Sequence, residues 1–217
     1  MNNPEKAKPA LRWQGGKRRL LKHILPLITP HTCYCEPFAG GLAVLLAKER
    51  SAVEVVNDIN GDLIALYRCV QYHLPELLRE LSNLVSSRLM LREFVHQPGV
   101  TDIQRAARFY YRNRISFGGN MTCFGVSKTR GGGAAFNQQK NADLLGPLRD
   151  RLGGVMIENV SYERCLALYD SAETLFFLDP PYLKSDAGAY WLVGRTNARV
   201  RRQSSHVAGP LDCDRRR

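Results

Sequence analysis

The chain has 217 residues, of which 44% are hydrophobic and 24% charged, and it has a formal net charge of +11. This composition is typical of a globular protein and excludes a collagen, a coiled coil or a wholly disordered chain. The positive charge favours a polyanionic partner, most simply a nucleic acid, although a basic protein without such a partner can have the same composition.

The sequence contains no pattern typical of export, membrane insertion or a metal site. The N-terminal residues MNNPEKAKPALRW lack the apolar core of a secretory signal. No run approaches the ~18 consecutive apolar residues of a membrane-spanning helix. The six cysteines are scattered, without the spacing of a zinc site. We therefore expect a cytoplasmic protein without a metal.

The first sixty residues predict a helix followed by a βαβ unit, which is typical of a parallel α/β sheet. Residues 17–28 have apolar positions at a helical period, and Pro26 is expected to end or kink this helix. The elements predicted next are a strand over 32–36, a glycine turn at Gly40-Gly41, a buried helix over 42–47 and a second strand over 53–57.

Residues 62–150 interrupt the sheet and predict a mainly helical insert. Apolar residues recur at helical spacing in its first third, with a break near Pro75. Thr101 and Gln104 have the capping-box pattern that opens a helix. Residues 118–137 are rich in Gly, Ser, Thr, Asn and Lys, which predicts a long loop or hairpin of the kind that is usually functional or disordered.

The strand pattern resumes over residues 155–159 and 174–178. After Tyr190 the Arg-rich sequence has neither a helical nor a strand period, so we expect an irregular basic tail that adds no strand. The predicted division is an α/β domain over 9–61 plus 151–190, an insert over 62–150 and a tail over 191–217.

The motif Asp179-Pro180-Pro181-Tyr182 is the most specific chemical feature of the sequence. It follows a fully apolar strand and therefore lies at the carboxyl end of the predicted sheet, where α/β proteins bind ligands. Its prolines remove amide donors, so the carbonyl groups and the Asp179 carboxylate can only accept hydrogen bonds. Tyr182 adds a flat face for stacking. The motif suits an amino group on a planar heterocycle, and the alternative is a plain proline-rich turn.

Three other motifs are weaker when taken singly. Glu36-Pro37-Phe38-Ala39-Gly40-Gly41 brings a glycine backbone close to a ligand, or is a simple turn. Asp58, at the end of the second strand, can accept hydrogen bonds from ribose hydroxyls, or is a solvated turn residue. Trp13-Gln14-Gly15-Gly16-Lys17 offers an aromatic face and a cation, or is an N-terminal turn.

In this order the motifs resemble W-x-G-G-K, E-P-F-x-G-G, N-D-x-N and D-P-P-Y of the DNA adenine methyltransferase family. Residues 108–137 resemble its phage-encoded branch. The resemblance covers roughly residues 9–190 and implies a Rossmann-like sheet whose C-terminal strands are missing from this chain. It implies that S-adenosylmethionine is the cofactor and that the cofactor-binding residues are Trp13, Lys17, Glu36, Phe38, Gly40, Asp58 and Asp179. It implies that the catalytic residues are Asp179, Pro180 and Tyr182.

The resemblance further implies methyl transfer to N6 of an adenine flipped out of double-stranded DNA, in a restriction-modification or phage context. The insert is the expected DNA-reading element, and we expect a monomer. Three arginines at i, i+3 and i+7 predict phosphate contacts or, alternatively, a solvated basic face. The candidate DNA-binding residues are Arg105, Arg108 and Arg112 of the helix and Asn120, Thr122, Lys128, Arg130 and Asn137 of the loop.

Three alternatives remain open at the level of sequence. Because the family pattern is expected to stop after Tyr190, the chain is either an active enzyme or an unstable, inactive DNA-binding remnant. An amino-methyltransferase acting on RNA or on protein glutamine uses a similar acceptor site, although the basic insert favours DNA. A structural phage protein would leave the four ordered motifs unexplained.

Overall fold

A computed structural model describes residues 7–125 and 136–180 and the backbone of residues 191–194. Its strands are β1 (Cys33–Glu36), β2 (Val53–Asn57), β3 (Met156–Glu158), β4 (Thr174–Leu178) and β5 (Trp191–Gly194). They form one sheet in the order β3-β2-β1-β4-β5, in which the first four strands are parallel and β5 is antiparallel to β4. The predicted α/β class and all four predicted strands are confirmed.

The fifth strand corrects the sequence analysis, which expected residues 191–217 to add no strand. Leu178 pairs with Trp191 and Leu175 pairs with Gly194, so β5 lies along the edge of β4. The sheet therefore extends beyond the predicted boundary at residue 190. A strand of four residues is too short for periodicity to reveal, and its pairing depends on the free edge of β4. The rest of the predicted tail, 195–217, lies outside the described residues.

The helices of the described residues flank this sheet. They are α1 (Leu21–Ile24), α2 (Ala43–Ala47), α3 (Gly61–Tyr72), α4 (Leu74–Ser82), α5 (Arg88–His96), α6 (Asp102–Ile115), α7 (Gln138–Leu152) and α8 (Tyr162–Tyr169). None of them is long and apolar enough to cross a membrane. The predicted helix over 17–28 is α1 between two short 3-10 segments, the second of which contains Pro26.

Two local predictions for the insert are confirmed. Pro75 lies in the first turn of α4, directly after the break that separates this helix from α3. Thr101 accepts a hydrogen bond from the Gln104 amide at 3.2 Å, and the Gln104 side chain accepts one from the Thr101 amide at 3.5 Å. This reciprocal capping box satisfies amide donors that would otherwise lack partners at the start of α6.

The insert shares one hydrophobic core with the sheet. Tyr34 and Val56 from the sheet lie in the same buried cluster as Leu66 of α3, Tyr110 of α6 and Leu148 of α7. The other face of the sheet packs against α8 in a smaller cluster that includes Cys35, Val55, Cys165 and Phe176. Helices thus cover both faces, as in a Rossmann-like fold.

A buried ion cluster lies near the amino end of β2. The Glu54 carboxylate accepts hydrogen bonds from Lys48 Nζ at 2.6 Å and from both terminal nitrogens of Arg151 at 2.5 and 2.8 Å. Burial raises the pKa of the Glu54 carboxyl, but the hydrogen bonds from Arg151 and Lys48 outweigh this effect, and the pKa lies below its ordinary value. The cluster ties α7 to the sheet.

Replacing Glu54 with Gln should lower the free energy of unfolding by about 3–5 kcal/mol, because Lys48 and Arg151 would lose the carboxylate that compensates their buried charges. Folding lowers the pKa of Glu54 from 4.5, so its stabilising effect is present above pH 4.5 and is lost as the pH falls through the lower folded value. Urea unfolding at pH 7 and at several pH values from 5 down to 3 measures both effects. The matched change at exposed Glu173 should alter stability by less than about 0.5 kcal/mol. A Glu54 variant as stable as the Glu173 variant would contradict this account.

Candidate active site

A cavity of about 380 Å³ opens at the carboxyl edge of the sheet, which is within the usual size range of small-molecule sites. Its wall includes residues from all four sequence motifs, and Asp179 and Pro180 represent the fourth. The seven predicted cofactor-binding residues all line it, namely Trp13, Lys17, Glu36, Phe38, Gly40, Asp58 and Asp179. Tyr182 lies outside the described residues. The structure thus brings the seven together, and their role as ligand contacts stays a prediction.

The parallel register explains why these residues meet. Cys35 of β1 lies opposite Val55 of β2 and Phe176 of β4, so the three strands end at nearly the same level. The turns that follow them are therefore neighbours at one edge. Because β1 is central, the turn after it lies between the acidic residues that follow β2 and β4.

Buried Lys17 forms an ion pair with Asp179, which is partly exposed. Lys17 Nζ lies 2.6 Å from each carboxylate oxygen of Asp179 and 3.1 Å from the carbonyl oxygen of Gly15. Only 4% of Lys17 is exposed, so this contact is strengthened by its low-polarity surroundings. The pair fixes the Asp179 carboxylate in the cavity wall and connects the N-terminal segment with the end of β4.

The glycine turn after β1 depends on a backbone conformation that suits glycine. Gly40 has a φ of +46°, and a Cβ atom there would lie 2.6 Å from Nε1 of the Trp13 indole. The Gly40 amide donates to Asp58 Oδ2 at 3.1 Å, while Asp58 Oδ1 accepts from the Asn60 amide at 2.9 Å. Asp58 therefore fastens the turn to the end of β2 in addition to any role toward a ligand.

Glu36 is a buried acid in the same wall. It is 2% exposed and accepts a hydrogen bond from the Tyr34 hydroxyl at 2.8 Å. Burial raises the pKa of Glu36 to about 7, and hydrogen bonds from Tyr34 and the Leu45 amide offset the effect only partly. The charge of this wall therefore changes near neutral pH.

Sequence reasoning assigned no role to two further residues that shape the site. Asn57 is 1% exposed and donates to the carbonyl oxygens of Pro37 and Val160 at 3.0 and 3.1 Å, while it accepts from the Val160 amide at 2.9 Å. It thus joins the turns after β1 and β3. The ring of Tyr162 lies 5.3 Å from that of Phe38. The sequence did contain a signal for Asn57. A polar residue at the end of an apolar strand is expected to be buried, and a buried amide side chain needs hydrogen-bond partners. Tyr162 gave none.

The predicted DNA-binding arginines lie on α6, and each of them makes a contact within the protein. Arg105 donates to Asp62 Oδ1 at 2.8 and 3.1 Å. Arg108 donates to the carbonyl oxygen of Gln97 at 2.7 Å, and Arg112 donates to that of Met121 at 3.3 Å. These contacts hold the arginines against neighbouring helices and loops, and their contact with DNA stays a prediction.

The predicted loop residues are divided between local structure and undescribed chain. Asn120 Oδ1 accepts from the amides of Thr122 and Cys123 at 3.1 and 2.9 Å, which forms a tight turn. Asn137 caps α7 by accepting from the Lys140 amide at 3.0 Å. Lys128 and Arg130 lie outside the described residues.

Replacing Glu36 with Gln should stabilise the protein at pH 8 but not at pH 5. Folding raises the pKa of Glu36 from 4.5 to about 7, so the folded state binds the proton more tightly and wild-type stability falls as the pH rises between these values. The Gln variant stays neutral and should escape this loss, which is on the order of 3 kcal/mol. Thermal and urea unfolding across pH 5–8 measure the difference. A stability difference that does not change with pH would rule out a raised pKa at Glu36, and Glu173→Gln serves as the exposed control.

Comparison with known proteins extends the resemblance that the motifs suggested. Residues 13–205 match the family described as D12 class N6 adenine-specific DNA methyltransferase. The match continues past residue 190, where the sequence analysis expected the family pattern to stop, and it includes β5. The expectation of an abrupt end at residue 190 was therefore wrong.

Relatives from bacteria and an archaeon carry names that agree with this family. The DNA adenine methylase of Escherichia coli is 28% identical over 212 residues, which cover 94% of this chain and 75% of the relative. Type II methyltransferase M.MjaIII of Methanocaldococcus jannaschii is 27% identical over 202 residues, which cover 81% of this chain and 69% of the relative. Because the family match covers most of the chain, this protein belongs to the D12 class N6 adenine-specific DNA methyltransferases.

Proposed function

We propose that this chain transfers a methyl group from S-adenosylmethionine to N6 of an adenine flipped out of double-stranded DNA. The observation that carries the proposal is the presence of Asp179 and Pro180 in the same cavity as Phe38, Gly40 and Asp58. The hydrogen-bond acceptors for an amino group and the residues suited to a nucleoside-like ligand therefore line the same cavity.

The cavity suits S-adenosylmethionine in size and polarity. A volume of about 380 Å³ accommodates a ligand of this size, and the wall combines apolar and acidic groups. Asp58, at the end of β2, is suited to accept hydrogen bonds from ribose hydroxyls. Phe38 offers a ring face to the adenine, and Glu36 offers a carboxyl group to the cofactor's ammonium group. When bound, S-adenosylmethionine supplies a methyl group on a sulfonium centre that a nitrogen lone pair can displace directly.

Asp179 and Pro180 would orient the adenine amino group. The Asp179 carboxylate and the Pro180 carbonyl accept its two N–H groups, which favours lone-pair density on nitrogen. Lys17 holds the carboxylate in place through the partly buried ion pair. We propose that Tyr182 stacks on the flipped base. Positioning and fixed electrostatics then account for most of the catalysis, without a covalent intermediate.

The insert over 62–150 is proposed to read DNA, while 9–61 and 151–190 hold the cofactor. Arg105, Arg108 and Arg112 together with loop 118–137 are the proposed contacts, of which phosphate contacts would make binding salt-dependent. We also propose that the protein acts as a monomer, in the cytoplasm of a bacterium or phage-infected cell, where it meets the nucleoid.

The purified chain should convert adenine to N6-methyladenine in DNA from a host that lacks adenine methylation. The assay supplies labelled S-adenosylmethionine and quantifies methylated nucleosides by mass spectrometry. Asp179→Asn should lower kcat at least about 100-fold, because the amino group loses its carboxylate acceptor. Asp143→Asn, an exposed change of the same type on α7, should leave kcat unchanged.

Separate binding measurements distinguish the inactive-remnant alternative. A chain that binds DNA but neither binds S-adenosylmethionine nor transfers its methyl group is a remnant, and the proposed activity then fails. If the Asp179→Asn variant transfers methyl groups at the wild-type rate, the proposed role of Asp179 as acceptor for the amino group is refuted.

A further inference from the structure

We infer that Tyr67 of α3 is a positioning residue: it holds the Gly40-Gly41 turn in the conformation that binds the methyl donor. The inference rests on the proposed function, since it assigns Tyr67 a part in forming the cofactor-binding wall. Tyr67 is 1% exposed, and its hydroxyl donates a hydrogen bond to the carbonyl oxygen of Gly40.

Both backbone polar groups of Gly40 are hydrogen-bonded to side chains. Its amide donates to Asp58 Oδ2 at 3.1 Å, and its carbonyl accepts from Tyr67. The two partners come from different elements, the end of β2 and the middle of α3. Because Gly40 has no side chain to pack, these contacts and the neighbouring Trp13 indole restrict a residue that is otherwise unusually free to rotate.

The Tyr67 hydrogen bond also restricts the next peptide group. The Gly40 carbonyl and the Gly41 amide belong to one planar trans peptide, so they point in opposite directions. Fixing the carbonyl toward α3 fixes the orientation of the Gly41 amide as well. Both glycines line the cavity, so rotation of this peptide would change the shape and polarity of its wall.

The helix that carries Tyr67 is anchored near both ends. Asn60 caps its first turn by accepting from the amides of Asp62 and Leu63 at 3.1 and 3.2 Å. Near the other end, Gln71 donates to the carbonyl oxygens of Leu152 and Val155 at 2.7 and 2.9 Å. Because the helix is anchored, the Tyr67 hydroxyl has a fixed position. Its hydrogen bond therefore fixes the position of the glycine turn relative to α3.

The Tyr67 hydroxyl stays protonated at physiological pH and can act as a donor. Burial raises the pKa of Tyr67 well above its ordinary value, and the nearby carboxylates of Asp58 and Glu36 raise it further. The hydroxyl is therefore available as a donor to Gly40 at physiological pH.

Tyr67→Phe tests the inference, because it removes the hydroxyl and keeps the ring in the core. The dissociation constant of S-adenosylmethionine, measured by calorimetry, should rise about tenfold, since a partly buried carbonyl loses its partner and the turn loses its fixed orientation. The KM for S-adenosylmethionine should rise by a similar factor, while kcat at saturating cofactor and the KM for DNA should stay within about twofold of wild type.

Tyr111→Phe is the matched control. This residue is also fully buried, and its hydroxyl donates to the Val85 carbonyl at 2.7 Å, away from the cavity wall. It should lose stability without weakening cofactor binding. An affinity of Tyr67→Phe within twofold of wild type, or equal losses in both variants, would overturn the positioning role.

Amide hydrogen exchange without any ligand separates this inference from the proposed function. Exchange of the amides of residues 40–42 should be faster in Tyr67→Phe than in wild type and unchanged in Tyr111→Phe. If wild type fails to bind S-adenosylmethionine, the proposed function fails, and the exchange rates still show whether Tyr67 holds the turn. Equal exchange in wild type and Tyr67→Phe would refute that hold.

Discussion

The partly buried ion pair between Lys17 and Asp179 forms part of the wall of the cavity at the carboxyl edge of the sheet. The parallel strands bring three turns together, and this pair, together with the Trp13 indole that lies against Gly40, connects them with the N-terminal segment. The two residues are 162 positions apart in the sequence, and Lys17 is almost fully buried. A buried cation without its carboxylate is strongly unfavourable, so the fold of this edge and the placement of Asp179 depend on each other.

The cavity wall consists largely of backbone that side chains from elsewhere hold in place. Asp58, Tyr67 and Trp13 surround Gly40 from three directions, and Asn57 joins the turns that follow β1 and β3. Each of these contacts removes rotational freedom before a ligand arrives. Such preorganisation suits a reaction in which the geometry between donor and amino group carries most of the rate.

The helical insert and the sheet form one packed body. Helix α3 begins directly after the turn that contains Asp58 and packs on α6, and Arg105 of α6 is paired with Asp62 in the first turn of α3. Because one core runs through both parts, the position of the insert relative to the sheet is set by close packing.

The sequence by itself determined the four parallel strands, the helical insert and the motifs that line the cavity. Parallel strands appear in a sequence as short apolar runs, and the polar residues that follow each run can be recognised without knowledge of the fold. Only the tertiary structure decided that β5 pairs with β4, that Asp179 is the partner of Lys17, and that Asn57 and Tyr67 hold the turns. In these cases each local segment is compatible with several partners, and the contact is selected by packing between residues far apart in the chain. A tyrosine among apolar helical positions predicts a core residue, and the sequence does not reveal where its hydroxyl finds an acceptor.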